Sequence, residues 1–154
     1  MRRARVLATC VGLGGCMAFI HTDARVFPQW EAASHEAVPL DCARVTAVAV
    51  KTGKTGVGIT VTFEGTDPPC TLRLTAASFE AYARPVGQRA SVRASALTLP
   101  PPPRLSFGVT VDAYLAFPFD DNAAYNDDAL MGRLVLETAS ARAEIPFEQT
   151  PGNR

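Results

Sequence analysis

Residues 105–119, LSFGVTVDAYLAFPF, contain the longest alternating pattern in the chain. Apolar side chains occupy every odd position from Leu105 to Phe119, and the residues between them are mostly polar or small. Successive side chains of a β-strand point to opposite faces, so the pattern predicts one long strand with a fully apolar face, bent near Pro118. If a second sheet covers this face, function is left to the loops. An open groove would indicate a binding protein.

A β-hairpin is predicted upstream of this strand. The apolar residues of its second arm alternate with small or polar ones and are Val57, Ile59, Val61 and Phe63. Residues 44–50 form the first arm, and the connection at 51–56 contains two glycines that can adopt positive φ in a turn. The motif Gly53-Lys54-Thr55 in this connection lacks the earlier glycine and the following helix of a phosphate-binding loop, so we interpret it as the turn.

Further strands are predicted around a proline-rich segment. They are residues 71–74, 90–99, 134–136 and 143–147, with 79–82 forming either a short strand or a turn of helix. Within 90–99 the apolar phase shifts at Leu97, as one inserted residue in a β-bulge would cause. Residues 100–103 are four prolines, which donate no N–H groups to a ladder. They predict an extended crossover or, alternatively, an exposed proline-rich ligand for a partner.

These patterns predict seven or eight strands, polar connections and no convincing amphipathic helix. The predicted fold is an all-β antiparallel β-sandwich, immunoglobulin-like or related, over residues 42–150. Residues 16–41 have no sustained period and are expected to form a tether that docks through Trp30, and residues 151–154 are a tail.

The 154 residues suit one domain. The 15 basic and 15 acidic residues give a formal charge of zero, which argues against a nucleic-acid partner.

The first residues have the layout of a secretory signal peptide. Arginines at positions 2, 3 and 5 precede a mostly apolar run. Even continued to Ile20, this run is about fifteen residues long, shorter than the roughly twenty that a membrane-spanning helix needs. We therefore expect a cleaved signal rather than a permanent anchor.

Leu13-Gly14-Gly15-Cys16 resembles the lipobox of bacterial lipoproteins, with a leucine three positions before the cysteine and small residues between them. The resemblance implies that residues 1–15 are removed and that Cys16 becomes the lipidated first residue. Two or three acyl chains would anchor the protein stably, because each buried CH₂ contributes about 0.8 kcal/mol. The alternative is ordinary signal-peptidase cleavage after Ala18 or Ala24, without lipid.

A location and a set of partners are also expected. We expect the protein in the periplasm, or at the outer membrane or cell surface. Its expected partners are the membrane, through the N-terminal lipid, and another envelope protein or a glycan.

The cysteines agree with export. Either cleavage route removes Cys10 and removes or acylates Cys16, which leaves Cys42 and Cys70 as an even pair. A disulfide between them suits an oxidising compartment, and the alternative is two buried free thiols. Metal binding by the cysteines is less favoured because the chain has no C-x-x-C motif.

Residues 120–128 contain the densest polar cluster. Its candidate Ca²⁺ ligands are Asp120, Asp121, Asn122, Asn126, Asp127 and Asp128. Carboxylate and amide oxygens are the ligands that Ca²⁺ takes, although the spacing differs from that of the EF-hand loop. Helix capping and turn formation are the competing roles for these residues. No other cofactor is expected.

The sequence does not predict an enzyme. Both histidines, His21 and His35, lie in the expected tether, and no acid–base pair can be placed. Tyr114 and Tyr125 are the candidate ligand contacts, Tyr114 because it alternates out of phase with its apolar neighbours. We therefore predict a structural or binding module of the cell envelope. The alternative is a secreted calcium- or carbohydrate-binding domain that uses residues 120–128, and a hydrolase ranks third.

Overall fold

The computed structural model describes residues 29–53, 56–83, 92–119 and 130–150. Five strands form one sheet in the order β1 (Gln29–Ala32), β11 (Arg142–Thr150), β10 (Leu130–Glu137), β6 (Ala76–Ala83) and β7 (Val92–Ser95). Four strands form a second sheet in the order β2 (Val38–Leu40), β3 (Ala43–Gly53), β4 (Gly56–Gly65) and β9 (Thr110–Pro118). The short strands β5 (Cys70–Thr71) and β8 (Arg104–Leu105) pair with each other.

The predicted all-β antiparallel sandwich is confirmed. The five-stranded and four-stranded sheets pack against each other, every strand pair is antiparallel, and the described residues contain no helix. The described residues contain eleven strands rather than seven or eight. The additional strands have two to four residues each, too few to give a recognisable period of two.

The folded domain extends upstream of the boundary predicted at residue 42. β1 pairs with β11, and β2 pairs with β3, so residues 29–40 of the expected tether contribute a strand to each sheet. Trp30 is 2% exposed and lies in the core, as the expected docking contact would. Prolines at positions 28 and 39 interrupt the local pattern that otherwise identifies strands in a sequence.

The predicted hairpin is confirmed as β3 and β4. Its register places Val45 opposite Phe63, and both side chains point into the core. A register shift between Ala49 and Lys51 interrupts the ladder, so the bulge lies in this hairpin and not at Leu97.

The apolar phase shift at Leu97 has a different cause from the predicted bulge. The Ala96 N–H donates to the Ala77 carbonyl in the five-stranded sheet, and the next N–H, of Leu97, donates to the Ala116 carbonyl in the four-stranded sheet. The chain therefore changes sheets between these two residues. A change of sheet and a bulge shift the phase in the same way, so the sequence pattern could not separate them.

The prediction of one strand over residues 105–119 is wrong in its first part. Leu105 belongs to β8, and a turn follows in which the Val109 N–H donates to the Ser106 carbonyl. Gly108 has a φ of 79°, a conformation that favours glycine, and Phe107 is 77% exposed. The alternating pattern is realised as a strand only from Thr110 to Pro118.

Three smaller predictions have mixed outcomes. The strand expected at 71–74 is limited to Cys70–Thr71: the Leu72 N–H still donates to the Pro103 carbonyl opposite it, but Pro103 has no N–H to return the second bond of that pair. Residues 79–82 are part of a strand, β6, and not a helical turn. The terminal hairpin is confirmed, with strands longer than expected.

Phe79 is the centre of an aromatic cluster between the sheets. Its ring centroid lies 5.1 Å from that of Trp30, 5.6 Å from Phe147, 6.0 Å from Phe117 and 6.1 Å from Phe119. All five rings are at most 4% exposed. Edge-on ring pairs at this spacing contribute about 0.5–1.5 kcal/mol each beyond the burial of their surface. The cluster therefore joins β1, β6 and β11 to β9 and the residue that follows it.

The predicted Cys42–Cys70 disulfide is present, with a Cα–Cα distance of 6.1 Å. It links the start of β3 to β5, and the 28-residue separation makes it a covalent tie across a long connection. The Thr66 N–H donates to the Cys42 carbonyl and holds the same connection by a second contact.

Replacing both bridge cysteines, Cys42→Ala with Cys70→Ala, is expected to lower the free energy of unfolding by about 3.6 kcal/mol, because the open chain gains conformational entropy. Urea titration followed by circular dichroism measures the change. The wild-type chain under dithiothreitol is the matched control and should show a similar loss. An unchanged urea midpoint in both cases contradicts a stabilising bridge.

Candidate functional site

A groove lies along the outer edge of β9, and we call it the β9 groove. One wall is formed by residues 98–101 with Pro103, the other by residues 111–114, and Phe63 lies at its base. Its volume is about 330 Å³. That value falls at the small end of the range of about 300–1,000 Å³ for ligand pockets. The groove therefore has room for a small ligand or for a few residues of an extended peptide.

The proline segment creates the groove because it follows β9 without pairing to it. The Leu97 N–H bonds to Ala116, which places the chain beside β9 at one end. At the other end the Pro103 carbonyl accepts from Leu72, away from β9. Prolines 100–103 between these anchors have no N–H groups to donate. The segment thus covers the edge of the sandwich but leaves space beside the strand.

β9 presents unpaired backbone groups to this space. Ala116 directs its carbonyl to the outer edge, toward Leu97, whereas Val109 directs its carbonyl inward, to the Gly65 N–H of β4. In an antiparallel strand this direction alternates from residue to residue, so Asp112 and Tyr114 direct their N–H and C=O groups outward. Among the described residues, none bonds to those outward groups.

The β9 wall of the groove presents different chemistry toward the core and toward the outer face of the sheet. Val111 and Ala113 point toward the core beside Phe63, so the inner part of the groove is apolar. Asp112 points to the outer face, where its carboxylate accepts a hydrogen bond of 2.6 Å from the Thr62 hydroxyl. Within the described part of the chain, no basic side chain pairs with Asp112.

Tyr114 lies on the outer face of the four-stranded sheet and is 54% exposed. Its ring occupies the space above Gly58 of the neighbouring strand. A Cβ on Gly58 would lie 2.8 Å from Tyr114 Cζ and still closer to the phenol oxygen. The absence of a side chain at position 58 is therefore what permits the ring to lie against the sheet. Val48 and Val50, at 59% and 57% exposed, extend the apolar part of this face.

The outer face of the five-stranded sheet has the opposite character. Arg133 bridges Glu80 at 2.6 Å and Glu144 at 3.1 Å, and Arg142 bridges Glu137 and Glu144. The hydrogen bond to Glu80 raises the pKa of the Arg133 guanidinium, which is charged at physiological pH in any environment of this kind. Because these carboxylates are already paired with arginines within the face, it is less suited to a basic ligand than the β9 side.

Most of the predicted site residues lie outside the described residues. These are Cys16, Asp120, Asp121, Asn122, Tyr125, Asn126, Asp127 and Asp128. The calcium site and the lipidation site therefore stay predictions. In the ranges that the structure does describe, no group of three His, Cys, Asp or Glu residues is placed to hold a metal ion.

Two further observations concern candidate chemistry and membrane association. The Ser34 hydroxyl accepts a hydrogen bond of 3.0 Å from the Glu36 N–H, so it forms a local turn contact beside His35. Across the described residues, no helix has the length and hydrophobicity needed to cross a membrane.

The sequence indicated Tyr114 as exposed but gave no sign of the groove beside it. Residues 98–103 and 111–114 are brought together only by the sheet change at residues 96 and 97. The run of prolines was the available clue, since a segment without N–H groups cannot complete the edge of a sheet.

No protein-family model matches the chain, and neither a curated protein nor a solved structure matches it.

Substitution at Gly58 tests the position of the Tyr114 ring. We expect Gly58→Ala to lower the free energy of unfolding by about 1 kcal/mol, because the methyl group displaces the ring and its contacts. In a Tyr114→Ala background the same change should raise it by about 0.5 kcal/mol, since alanine is favoured over glycine within a strand. Chemical denaturation of the four proteins measures the coupling. Equal effects of Gly58→Ala in both backgrounds would contradict the contact.

Proposed function

We propose that this protein is an exported, lipid-anchored binding module of the bacterial cell envelope. The Cys42–Cys70 disulfide is the observation that carries the proposal. Structural disulfides persist in oxidising compartments and are rare in the cytosol, and they are common in exported proteins. The disulfide thus supports the same location as the basic and apolar layout of residues 1–15.

The lipid anchor is proposed from the lipobox-like residues that precede the domain. Acylation of Cys16 would leave residues 17–28 between the lipid and β1. Fully extended, twelve residues span at most about 40 Å. A domain attached in this way would be held near the membrane surface, where a ligand-binding edge could reach envelope components.

Binding is favoured over a purely structural role by the β9 side of the sandwich. It combines unpaired backbone groups, a carboxylate without a basic partner among the described residues, and exposed apolar side chains. Proteins usually protect such edges with charged side chains, prolines or a covering segment, and here the proline segment covers β9 only in part. An edge that is left partly open can accept an extended peptide as an added strand.

Metabolic labelling tests the anchor. In a bacterium that processes lipoproteins, the wild-type chain is expected to incorporate radiolabelled palmitate and to sediment with membranes. Cys16→Ser should abolish the label because serine lacks the thiol that is acylated. Cys10→Ser, which changes the other N-terminal cysteine, is the matched control and should keep the label. Incorporation that is unchanged by Cys16→Ser contradicts lipidation at this residue.

Tyr114 supports a second candidate function, binding of a glycan. A half-exposed aromatic ring on a sheet can stack against the apolar face of a sugar ring, and the lack of a side chain at Gly58 leaves room for this ring against the sheet.

A glycan array tests this candidate. Any sugar that binds is expected to lose about tenfold in affinity with Tyr114→Ala, through loss of the stacked surface. Phe107→Ala removes a different exposed ring, on the turn before β9, and is the control that should leave binding unchanged. Sugar binding that is insensitive to Tyr114→Ala assigns the sugar to another surface.

A further inference from the structure

We infer that the β9 groove binds a short, extended peptide that pairs with the free edge of β9 and has alternating basic and apolar side chains. This inference deepens the proposed binding function and rests on it. The partner is a segment of another protein with this chemistry, and it is recognised by three features of the groove.

The first feature is the backbone of β9. Asp112 and Tyr114 direct two N–H and two C=O groups into the groove, and no described residue bonds to them. An extended peptide supplies a matching row of donors and acceptors, which is how strands add to the open edge of a sheet. A rigid small molecule would rarely match groups at this regular spacing. The anchor at Ala116 and the departure of the proline segment limit the paired stretch to a few residues.

The second feature is the apolar inner side. Val111 and Ala113 face the core next to Phe63, and Leu99 and Pro100 close the opposite wall. Ala113 is small, so a branched apolar side chain of the peptide can occupy the space above it. Side chains of a strand alternate between faces, so every second residue of the peptide would be apolar.

The third feature is the charge on the outer side. The Asp112 carboxylate lies at the groove with only the Thr62 hydroxyl as its hydrogen-bond partner among the described residues. Peptide residues that face outward beside Asp112 would therefore be lysine or arginine. On the opposite sheet the carboxylates Glu80 and Glu144 already pair with Arg133, so the same peptide has no comparable site there.

The test uses the capped peptide acetyl-Lys-Val-Lys-Val-Lys-amide and ¹⁵N-labelled protein as purified from the expressing cell. Saturable shifts are expected for the amides of residues 111–114 and of Leu99. The peptide acetyl-Glu-Val-Glu-Val-Glu-amide has the same valines with the charges reversed, and it should bind at least fivefold more weakly. Shifts confined to residues 56–60, around Gly58, would overturn the inference and favour the exposed face instead.

Backbone pairing is tested with N-methylated peptides. One peptide is methylated on the backbone nitrogens of its lysines and the other on the backbone nitrogens of its valines. Both are needed because antiparallel and parallel pairing would use the backbone N–H groups of alternate peptide residues. Loss of at least tenfold in affinity with one or both supports pairing. Equal binding of both methylated peptides and the unmodified peptide overturns it.

Protein variants complete the test. Ala113→Leu fills the inner side of the groove and should weaken binding at least tenfold. Asp112→Asn keeps the shape but removes the charge and should weaken binding about two- to fivefold. Val48→Ala, on the exposed face, is the control and should bind as the wild type does. If no variant or peptide gives saturable shifts, the inference fails, while palmitate labelling still decides the proposed anchor independently.

Discussion

The packing of Phe79 against four other aromatic rings is the interaction on which the arrangement of the two sheets depends. The ring of Phe79 extends from β6 and meets Trp30 of β1 and Phe147 of β11, as well as Phe117 on β9. Gly132 makes this possible, because a Cβ there would lie 2.5 Å from the Phe79 ring and 2.8 Å from that of Trp30. The cluster fixes β9 against the five-stranded sheet, so the position of the open edge follows from the core.

The β9 groove results from the way in which residues 98–103 cover the β9 edge of the four-stranded sheet. A segment with free N–H groups could have paired with β9 and completed the sheet. Prolines 100–103 cannot, so they protect the edge from indiscriminate pairing with other chains and leave Asp112 and Tyr114 reachable. One sequence feature thus limits aggregation and leaves a short stretch of the β9 edge open beside the prolines.

Local alternation and cysteine spacing were sufficient for much of the fold. Val57 to Phe63 identified β4 because its inner and outer faces differ clearly, and the Cys42–Cys70 pair followed from elimination of the other cysteines. The change of sheet after Ala96 was not predictable, because it produces the same phase shift as a bulge. The turn at Gly108 was hidden for a related reason: apolar residues such as Phe107 continued the pattern although the chain had left the core.

The candidate site could be predicted only in part. The exposure of Tyr114 follows from its position between the apolar residues of the alternating pattern, whereas the groove depends on residues that meet only in the tertiary structure. The same distinction explains why the two outer faces differ. Arg133 and its acidic partners stabilise the five-stranded sheet by cross-strand pairs that complete one another. On the outer face of β9, which is an edge strand, the charge of Asp112 has no such complement among the described residues. Because Asp112 is exposed, water can solvate its carboxylate in the free protein, so a partner chain gains affinity there only by replacing that hydration with matched charge and hydrogen bonds.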